Sequence, residues 1–150
     1  ATIYRPLNNF FLNPFMEYLR KKYICQNQIK KGLAGVKDTI YYIKNNFSIA
    51  LMIDQRVSEG KKIPLFENMA LTTTMPAQMA LKFNLDIVPI YIARKNNDNF
   101  QMEVYEPVKV LKNVDDETNK LNISIKLNKI LEEMISKDPG QWIWTHNRWK

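Results

Sequence analysis

The sequence has one cysteine, Cys25, and one histidine, His146, among its 150 residues. A single thiol cannot form an internal disulfide and is typical of a reducing compartment. The two residues together also exclude a zinc site of the usual kind, which needs three or four such ligands. The chain has no P-loop, dinucleotide fingerprint or nucleophile elbow. It also has no apolar run near the roughly 18 residues that span a bilayer.

What the chain does have is an excess of positive charge, with 22 Lys+Arg against 15 Asp+Glu and a net charge of +7. This charge predicts an anionic partner, which is a phosphate group, a nucleic acid or an acidic membrane surface. The chain is long enough for one domain with its own core. Residues 1–6 do not form a signal peptide and include no initiator Met, as expected of a chain that continues a longer protein.

Apolar spacing predicts helices and strands in the order β-α-α-β-α-β-β-α, and residues 54–71 are predicted to form a long loop. We therefore expect an α/β fold with a mostly parallel sheet flanked by helices and an antiparallel hairpin at one edge. The predicted helices cover residues 10–23, 33–44, about 75–84 and a long segment around 127–135. The predicted strands lie at residues 3–4, 48–53, 87–93 and 100–105.

Two charged residues follow predicted strands directly. The apolar run 49–53 stops at Asp54, with Gln55 and Arg56 adjacent, and Arg5 follows the strand at Ile3. Ligands of open α/β sheets bind at the carboxyl ends of strands, and a guanidinium binds phosphate with two parallel hydrogen bonds. The alternative for Asp54 is a solvated loop carboxylate, and the alternative for Arg5 is an ordinary surface arginine.

The C-terminal stretch "GQWIWTHNRWK" concentrates aromatic and basic residues. Trp142, Trp144 and His146 alternate at a period of two. We favour an extended segment that packs its aromatic side chains onto the core over a contact with a ligand. His146 and Arg148 are the further candidates for such a contact. A histidine base usually needs a carboxylate to orient it, and the sequence places no obvious one nearby.

The pair Gly32 and Gly35, flanked by Lys30, Lys31 and Lys37, resembles the GxxG loop that holds nucleic-acid backbone in KH modules. A glycine at the N-cap of a helix is the favoured explanation. The alternative function is a basic nucleic-acid-binding α/β module that uses these lysines together with the terminal aromatic residues.

Four segments in order resemble the bacterial lipid A biosynthesis acyltransferases, the lauroyl/myristoyl-type enzymes of the lysophospholipid acyltransferase superfamily. The resemblance covers essentially the whole chain and implies a glycerolipid acyltransferase-like fold. The four segments are "IYRPLNN", "LMIDQ", "PLFENMALTTTMPAQMALKFNLDIVPIYI" and "KDPGQWIWTHNRWK".

The resemblance implies an enzyme of lipopolysaccharide biosynthesis at the cytoplasmic face of the inner membrane. Such an enzyme moves a fatty acyl chain from acyl carrier protein to a hydroxyl of the lipid A precursor, a phosphorylated glycolipid. The implied partners are acyl carrier protein, this glycolipid and the anionic membrane surface, with no nucleic acid, no metal and no cofactor. The chemistry of the family depends on a His-x4-Asp/Glu dyad, in which the histidine takes the proton of the acceptor hydroxyl.

The resemblance also assigns roles at the mouth of the site. Arg5 and Asp54 match positions beside the dyad, and Gln55 and Arg56 adjoin Asp54 as further substrate-binding candidates. Arg5 would bind a phosphate of the glycolipid or of the carrier's pantetheine arm. Asp54 would hold the acceptor, or fix Arg5 by a charge-assisted hydrogen bond.

The sequence departs from the family pattern at the dyad. His146 is the only histidine, and the residue four positions later is Lys150. We therefore expect residues 1–150 to be the C-terminal part of one acyltransferase domain, without the membrane helix and the dyad, and inactive alone. A truncated, a split and a decayed gene all fit this expectation. A second departure is Glu67, where many members have glycine after phenylalanine.

Overall fold

The computed structural model describes residues 1–110, 115–145 and 147–149. Internal contacts divide the chain into two compact units, residues 1–52 and residues 53–150.

The first unit pairs two short strands in parallel. Its elements are β1 (Thr2–Tyr4), α1 (Leu12–Tyr23), β2 (Gln28–Lys30) and α2 (Leu33–Lys44). β1 lies beside β2 with Ile3 opposite Ile29, and Ala50 forms a parallel bridge with Thr2. Ile29 and Ile43 are buried at the centre of this unit.

The two helices of the first unit begin where the sequence offers a start signal. The Asn9 side chain accepts hydrogen bonds from the amides of Phe11 and Leu12, at 3.0 and 3.1 Å, just where α1 begins. Gly32 precedes α2 with a φ of 130°, a conformation that favours glycine. The predicted helix over residues 33–44 is confirmed at both ends, and α1 confirms the one predicted over 10–23.

The second unit combines two antiparallel hairpins with two helices. Its elements are β3 (Lys61–Leu65), β4 (Asn68–Thr72), α3 (Met75–Phe83), β5 (Ile90–Arg94), β6 (Phe100–Val104) and α4 (Asp116–Lys137). β3 pairs with β4, and β5 pairs with β6. Short 3-10 turns cover Asn96–Asp98 and Pro139–Gln141.

The long helix α4 organises the core of this unit. Asp115 caps its first turn by accepting a hydrogen bond from the Thr118 amide at 3.0 Å, and the helix ends before Pro139. One side of α4 packs with β3 and β4, and another packs with α3. The two buried clusters are Leu65, Ala70, Leu131 and Ile135, and Ala77, Val108, Ile123 and Leu127.

The mixed α/β class is confirmed, but the predicted mostly parallel sheet is wrong for the described residues. Each sheet there has two strands, and only β1 and β2 run parallel. The apolar run 48–53 forms a single bridge at Ala50 rather than a strand, and Met52 is exposed. A run of this kind needs neighbours on both sides to become a buried strand, and here it has only β1.

The predicted loop over residues 54–71 is also wrong, because it contains the β3–β4 hairpin. The hairpin predicted near residues 87–105 is confirmed as β5 and β6.

Candidate functional site

Asp54 lies in the bend that follows the apolar run and is half-buried. Its Oδ1 atom is buried and has no hydrogen-bond partner among the described residues. A buried carboxylate oxygen without a partner is costly, and in native proteins it usually indicates an unseen ligand, water or ion. Asp54 therefore needs a partner, as do Asn128 and Arg148, whose Oδ1 and Nε atoms are also buried without one among the described residues.

Arg148 lies beside Asp54, although the two are far apart in sequence. Its side chain is 0% exposed, and it donates hydrogen bonds to the carbonyls of Ile53, at 3.4 Å, and Gln55. A third bond reaches Thr72 Oγ1 at 3.3 Å. Burial lowers the pKa of the Arg148 guanidinium, and the charge of Asp54 opposes that shift. The guanidinium thus holds the backbone on both sides of Asp54 and balances its charge.

The contacts of Arg148 continue into a buried polar network, which we call the Arg148 network (Asp54, Thr72, Asn128 and Arg148). Thr72 Oγ1 also accepts a hydrogen bond from Asn128 Nδ2 at 3.1 Å. Asn128 Nδ2 donates a second bond to the Pro64 carbonyl at 2.7 Å. The network therefore fixes β3, β4 and α4 relative to the Asp54 bend.

The C-terminal aromatic residues pack mainly on the core, as the sequence favoured. Trp142 and Trp149 lie against the cluster of β3, β4 and α4, and Trp149 Nε1 donates to the Leu65 carbonyl at 3.3 Å. Trp144 is half exposed, and its ring contacts Trp142 edge to face. His146 lies outside the described residues, so its possible roles as a catalytic base or a ligand contact stay predictions.

Gln55 and Arg56 follow Asp54 with exposed side chains. The structure thus brings Asp54, Gln55 and Arg148 together, with Arg56 next along the same bend. The substrate contacts predicted for these four residues stay predictions.

Arg5 belongs to the first unit and follows the carboxyl end of β1. Its side chain is exposed. The Lys31 amide donates to the Tyr4 carbonyl at 2.8 Å, so Arg5 and Lys31 leave the paired strands at the same edge. The start of α2 comes directly after Lys31, and the unpaired amides of a helix N-terminus favour anions. Two cations and a helix start therefore make this edge electropositive.

Tyr4, the residue before Arg5, forms a hydrogen bond with Glu17 of α1, which also forms an ion pair with Lys30. Tyr4 donates its hydroxyl to Glu17 Oε1 at 2.7 Å, and Asn13 Nδ2 donates to the same oxygen at 2.9 Å. These bonds, together with Lys30 Nζ at 3.3 Å, lower the pKa of Glu17 to about 2. Burial and the Glu17 bond raise the pKa of Tyr4 to about 12.

Sequence reasoning missed Glu17, Thr72 and Asn128. For Asn128 a signal exists, because it lies among the apolar positions of α4 at which a polar residue needs a buried partner. Glu17 and Thr72 have no such signal, because their partners Tyr4 and Arg148 are distant in sequence.

The GxxG motif does not form a loop, because Gly32 caps α2 and Gly35 lies inside the helix. This confirms the helix-cap explanation. In the described part of the chain, no three His, Cys, Asp or Glu side chains cluster as metal ligands would. The helices described there also include none that is long and apolar enough to cross a membrane.

A family model described as bacterial lipid A biosynthesis acyltransferase matches residues 1–150. No curated protein matches the chain. The family match spans both units, including Arg5 and the Arg148 network, and confirms the resemblance stated from the sequence segments. The chain belongs to the bacterial lipid A biosynthesis acyltransferase family.

Proposed function

We propose that this chain is the acceptor-binding part of an acyltransferase that moves a fatty acyl chain from acyl carrier protein to a hydroxyl of a lipid A precursor. The single observation that carries the proposal is the family match over residues 1–150. The net charge of +7 supports it, because the acceptor glycolipid, the carrier protein and the leaflet of the inner membrane are all anionic.

Arg5 binds a phosphate of the acceptor in this proposal. The support is its exposed guanidinium at the electropositive edge of β1 and β2, beside Lys31 and the start of α2. A guanidinium matches the geometry of phosphate oxygens better than a lysine does.

Asp54 holds the acceptor through its carboxylate, and Gln55 and Arg56 add polar contacts. The support is the buried Oδ1 atom, which has no partner within the described residues and can accept a hydrogen bond from a sugar hydroxyl. Arg148 keeps the Asp54 bend in place by binding the Ile53 and Gln55 carbonyls.

The reaction requires a base for the acceptor hydroxyl. In the family, the histidine of the His-x4-Asp/Glu dyad takes this proton as the hydroxyl oxygen attacks the thioester carbonyl, and the carrier's thiol leaves. These 150 residues contain no histidine with a carboxylate four positions later. We therefore propose that they do not catalyse acyl transfer alone. We also propose, from the family, that the active enzyme works at the cytoplasmic face of the inner membrane.

Binding of the phosphorylated acceptor in detergent micelles tests the proposal directly. We expect Arg5→Ala and Asp54→Ala each to weaken binding by about tenfold, the effect of losing one charge-assisted contact. Arg94→Ala, which removes an exposed arginine of β5, is the matched control and should bind like the wild type. Unchanged affinity of Arg5→Ala, or equal affinity for the dephosphorylated lipid, would contradict the role of Arg5.

A thioester-consumption assay tests the second half of the proposal. The purified 150-residue chain, mixed with acyl carrier protein thioester and the lipid A precursor, should consume thioester at the rate of the blank. Turnover clearly above the blank would show that these residues do hold a working base.

A further inference from the structure

Helix α1 carries its aromatic side chains on the side that faces solvent. Phe11, just before its first residue, is 88% exposed, and Phe15 and Tyr18, at the i+4 and i+7 positions, are 57% and 56% exposed. The less exposed positions of the helix include Met16 and Leu19, but the contacts with Tyr4 of β1 come from polar groups. Glu17 accepts the Tyr4 hydroxyl, and Arg20 lies over the Tyr4 ring.

An ordinary surface helix turns its large apolar side chains to the core, whereas the aromatic residues of α1 face solvent. None of the residues of α1 is buried. Further exposed apolar residues lie just before and just after the helix, and we call the whole set the α1 apolar patch. Its members are Phe10, Phe11, Leu12, Phe15, Tyr18, Tyr23 and Ile24.

Positive charge lies at one end of the same stripe. Lys22 follows Tyr18 by one helical turn, and its Nζ lies 5.7 Å from the centre of the Tyr18 ring and 5.1 Å from that of Tyr23. Lys21 is its neighbour and is also exposed. Aromatic rings next to lysines are typical of the boundary between lipid headgroups and acyl chains.

The charge of the chain is concentrated in the unit that carries this patch. Residues 1–52 contain eight Lys and Arg against two Asp and Glu, a net charge of +6. Residues 53–150 contain fourteen against thirteen, a net charge of +1. An exposed apolar patch in a strongly basic unit fits an anionic lipid surface better than it fits another copy of the same basic unit.

We propose that the α1 apolar patch docks on the surface of an anionic bilayer, with the aromatic rings among the headgroups and Lys21 and Lys22 on lipid phosphates. The inference rests on the proposed function in one respect, namely that an acceptor glycolipid resides in a bilayer. Tyr4 lies against the inner side of α1, so docking would hold Arg5 about one helix diameter, roughly 10 Å, from the headgroups. The patch thereby brings the unit that carries the proposed phosphate-binding residue to the surface where its ligand lies.

Co-sedimentation with lipid vesicles tests this docking. The full chain should bind phosphatidylcholine vesicles that contain about 30% phosphatidylglycerol, and bind pure phosphatidylcholine much more weakly. Phe11→Ser/Phe15→Ser should reduce binding by about tenfold or more, because it removes exposed apolar area. Lys21→Gln/Lys22→Gln should reduce it by roughly 25-fold on anionic vesicles, about fivefold per lysine, and less at high salt.

Matched variants on the second unit control for lost charge and lost apolar area. Lys126→Gln/Lys129→Gln removes two exposed lysines of α4, and Leu121→Ser/Ile143→Ser removes two exposed apolar side chains. Both should bind anionic vesicles within about twofold of the wild type. Thermal unfolding of each variant by circular dichroism checks that the exposed substitutions leave the fold intact.

Three results would overturn the inference. The first is absence of binding to anionic vesicles, and the second is equal loss in the control variants. The third is a dimer that Phe11→Ser/Phe15→Ser dissolves, which would assign the patch to a second copy of the chain. Loss of vesicle binding with intact Arg5-dependent binding of the acceptor in micelles would remove this inference and leave the proposed function standing.

Discussion

Arg148 is the largest fully buried side chain of the described residues, and it is a cation. Its guanidinium donates hydrogen bonds to Thr72 Oγ1 and to the two carbonyls that flank Asp54. Its described contacts are those of a residue that positions the Asp54 bend. A direct contact of Arg148 with substrate remains a prediction from the sequence.

Removal of the Arg148 guanidinium should destabilise the chain strongly. Arg148→Ala leaves two backbone carbonyls without donors and the Asp54 carboxylate without a counter-charge, so we expect a loss of about 3–5 kcal/mol in the free energy of unfolding. Arg148→Lys should lose less, because it keeps the charge but cannot span three acceptors. Urea unfolding followed by tryptophan fluorescence measures both, since the three tryptophans lie in the second unit.

Arg94→Ala is the control for this experiment. Arg94 is exposed, and its guanidinium lies 5.3 Å from the centre of the Phe100 ring, so its removal should cost less than about 1 kcal/mol. A loss under about 1 kcal/mol for Arg148→Ala would contradict the structural role of the Arg148 network.

Glu17 should make the free energy of unfolding of the first unit depend on pH in the acid range. Its pKa is about 2 in the folded protein against the ordinary value of 4.5 for a glutamate side chain, so the carboxylate stabilises the fold above pH 4.5. This stabilisation should disappear as the pH falls from about 4.5 to about 2. Acid unfolding of Glu17→Gln should lack that part of the pH dependence, and an identical acid profile would contradict it.

The Tyr4 hydroxyl is the main cause of the low Glu17 pKa. In Tyr4→Phe we therefore expect the pKa of Glu17 to rise from about 2 toward 4.5, as followed by NMR titration of the carboxyl carbon. Burial and the same contact raise the pKa of Tyr4 to about 12 from 10.0, so the stabilisation by the Tyr4 hydroxyl is complete below pH 10 and is lost between pH 10 and 12. An unchanged Glu17 pKa in Tyr4→Phe would refute the coupling.

At the scale of elements, local signals decided which parts were predictable. Helix α2 has a glycine cap and a regular apolar stripe, and both of its ends were predictable. The β3–β4 hairpin has no such signal, because its turn contains Phe66 and Glu67 instead of the usual Asn-Gly. Phe66 adopts a φ of 53°, which is rare for a bulky residue, and its amide is held by the Glu132 carboxylate.

The same reasoning explains which part of the site could be predicted. Asp54 was recognisable because a charge interrupts an apolar run. Its partner Arg148 was recognisable only as a basic residue in a conspicuous segment, since their proximity depends on tertiary packing. Thr72 was invisible, because a hydroxyl next to a predicted helix start has an adequate local explanation.

Gly35 allows α2 to lie against β2. A Cβ atom at this position would overlap the Lys30 carbonyl and approach Ile29 Cγ2 to 3.3 Å. Gly35→Ala gains about 1 kcal/mol in helix propensity, but overpacking costs roughly 1–3 kcal/mol, so we expect a net loss of stability. Gly140→Ala, whose Cβ would meet only Asp138 Oδ1 at 3.5 Å, is the neutral control in thermal unfolding. A stabilised Gly35→Ala would mean that α2 does not pack this closely.

At the scale of the whole molecule, the uneven charge of the two units should make them respond differently to salt. Repulsion within the first unit, with its net charge of +6, is screened as NaCl rises from about 0.05 to 0.5 M. We expect amide hydrogen exchange to slow more in α1 and α2 than in α4. Equal slowing in all three helices would indicate that net charge does not limit the stability of the first unit.

The Arg148 network can form only late in translation, because its cation is among the last residues of the network to be synthesised. Ile53 and Arg148 are 95 residues apart, so a ribosome that adds about 5–20 residues per second makes the carbonyl some 5–20 s before its donor. During that interval the nascent chain holds a carboxylate at position 54 with no cation to balance it. A stop codon in place of the Arg148 codon would make this interval permanent, and such a polypeptide is expected to be removed by proteases.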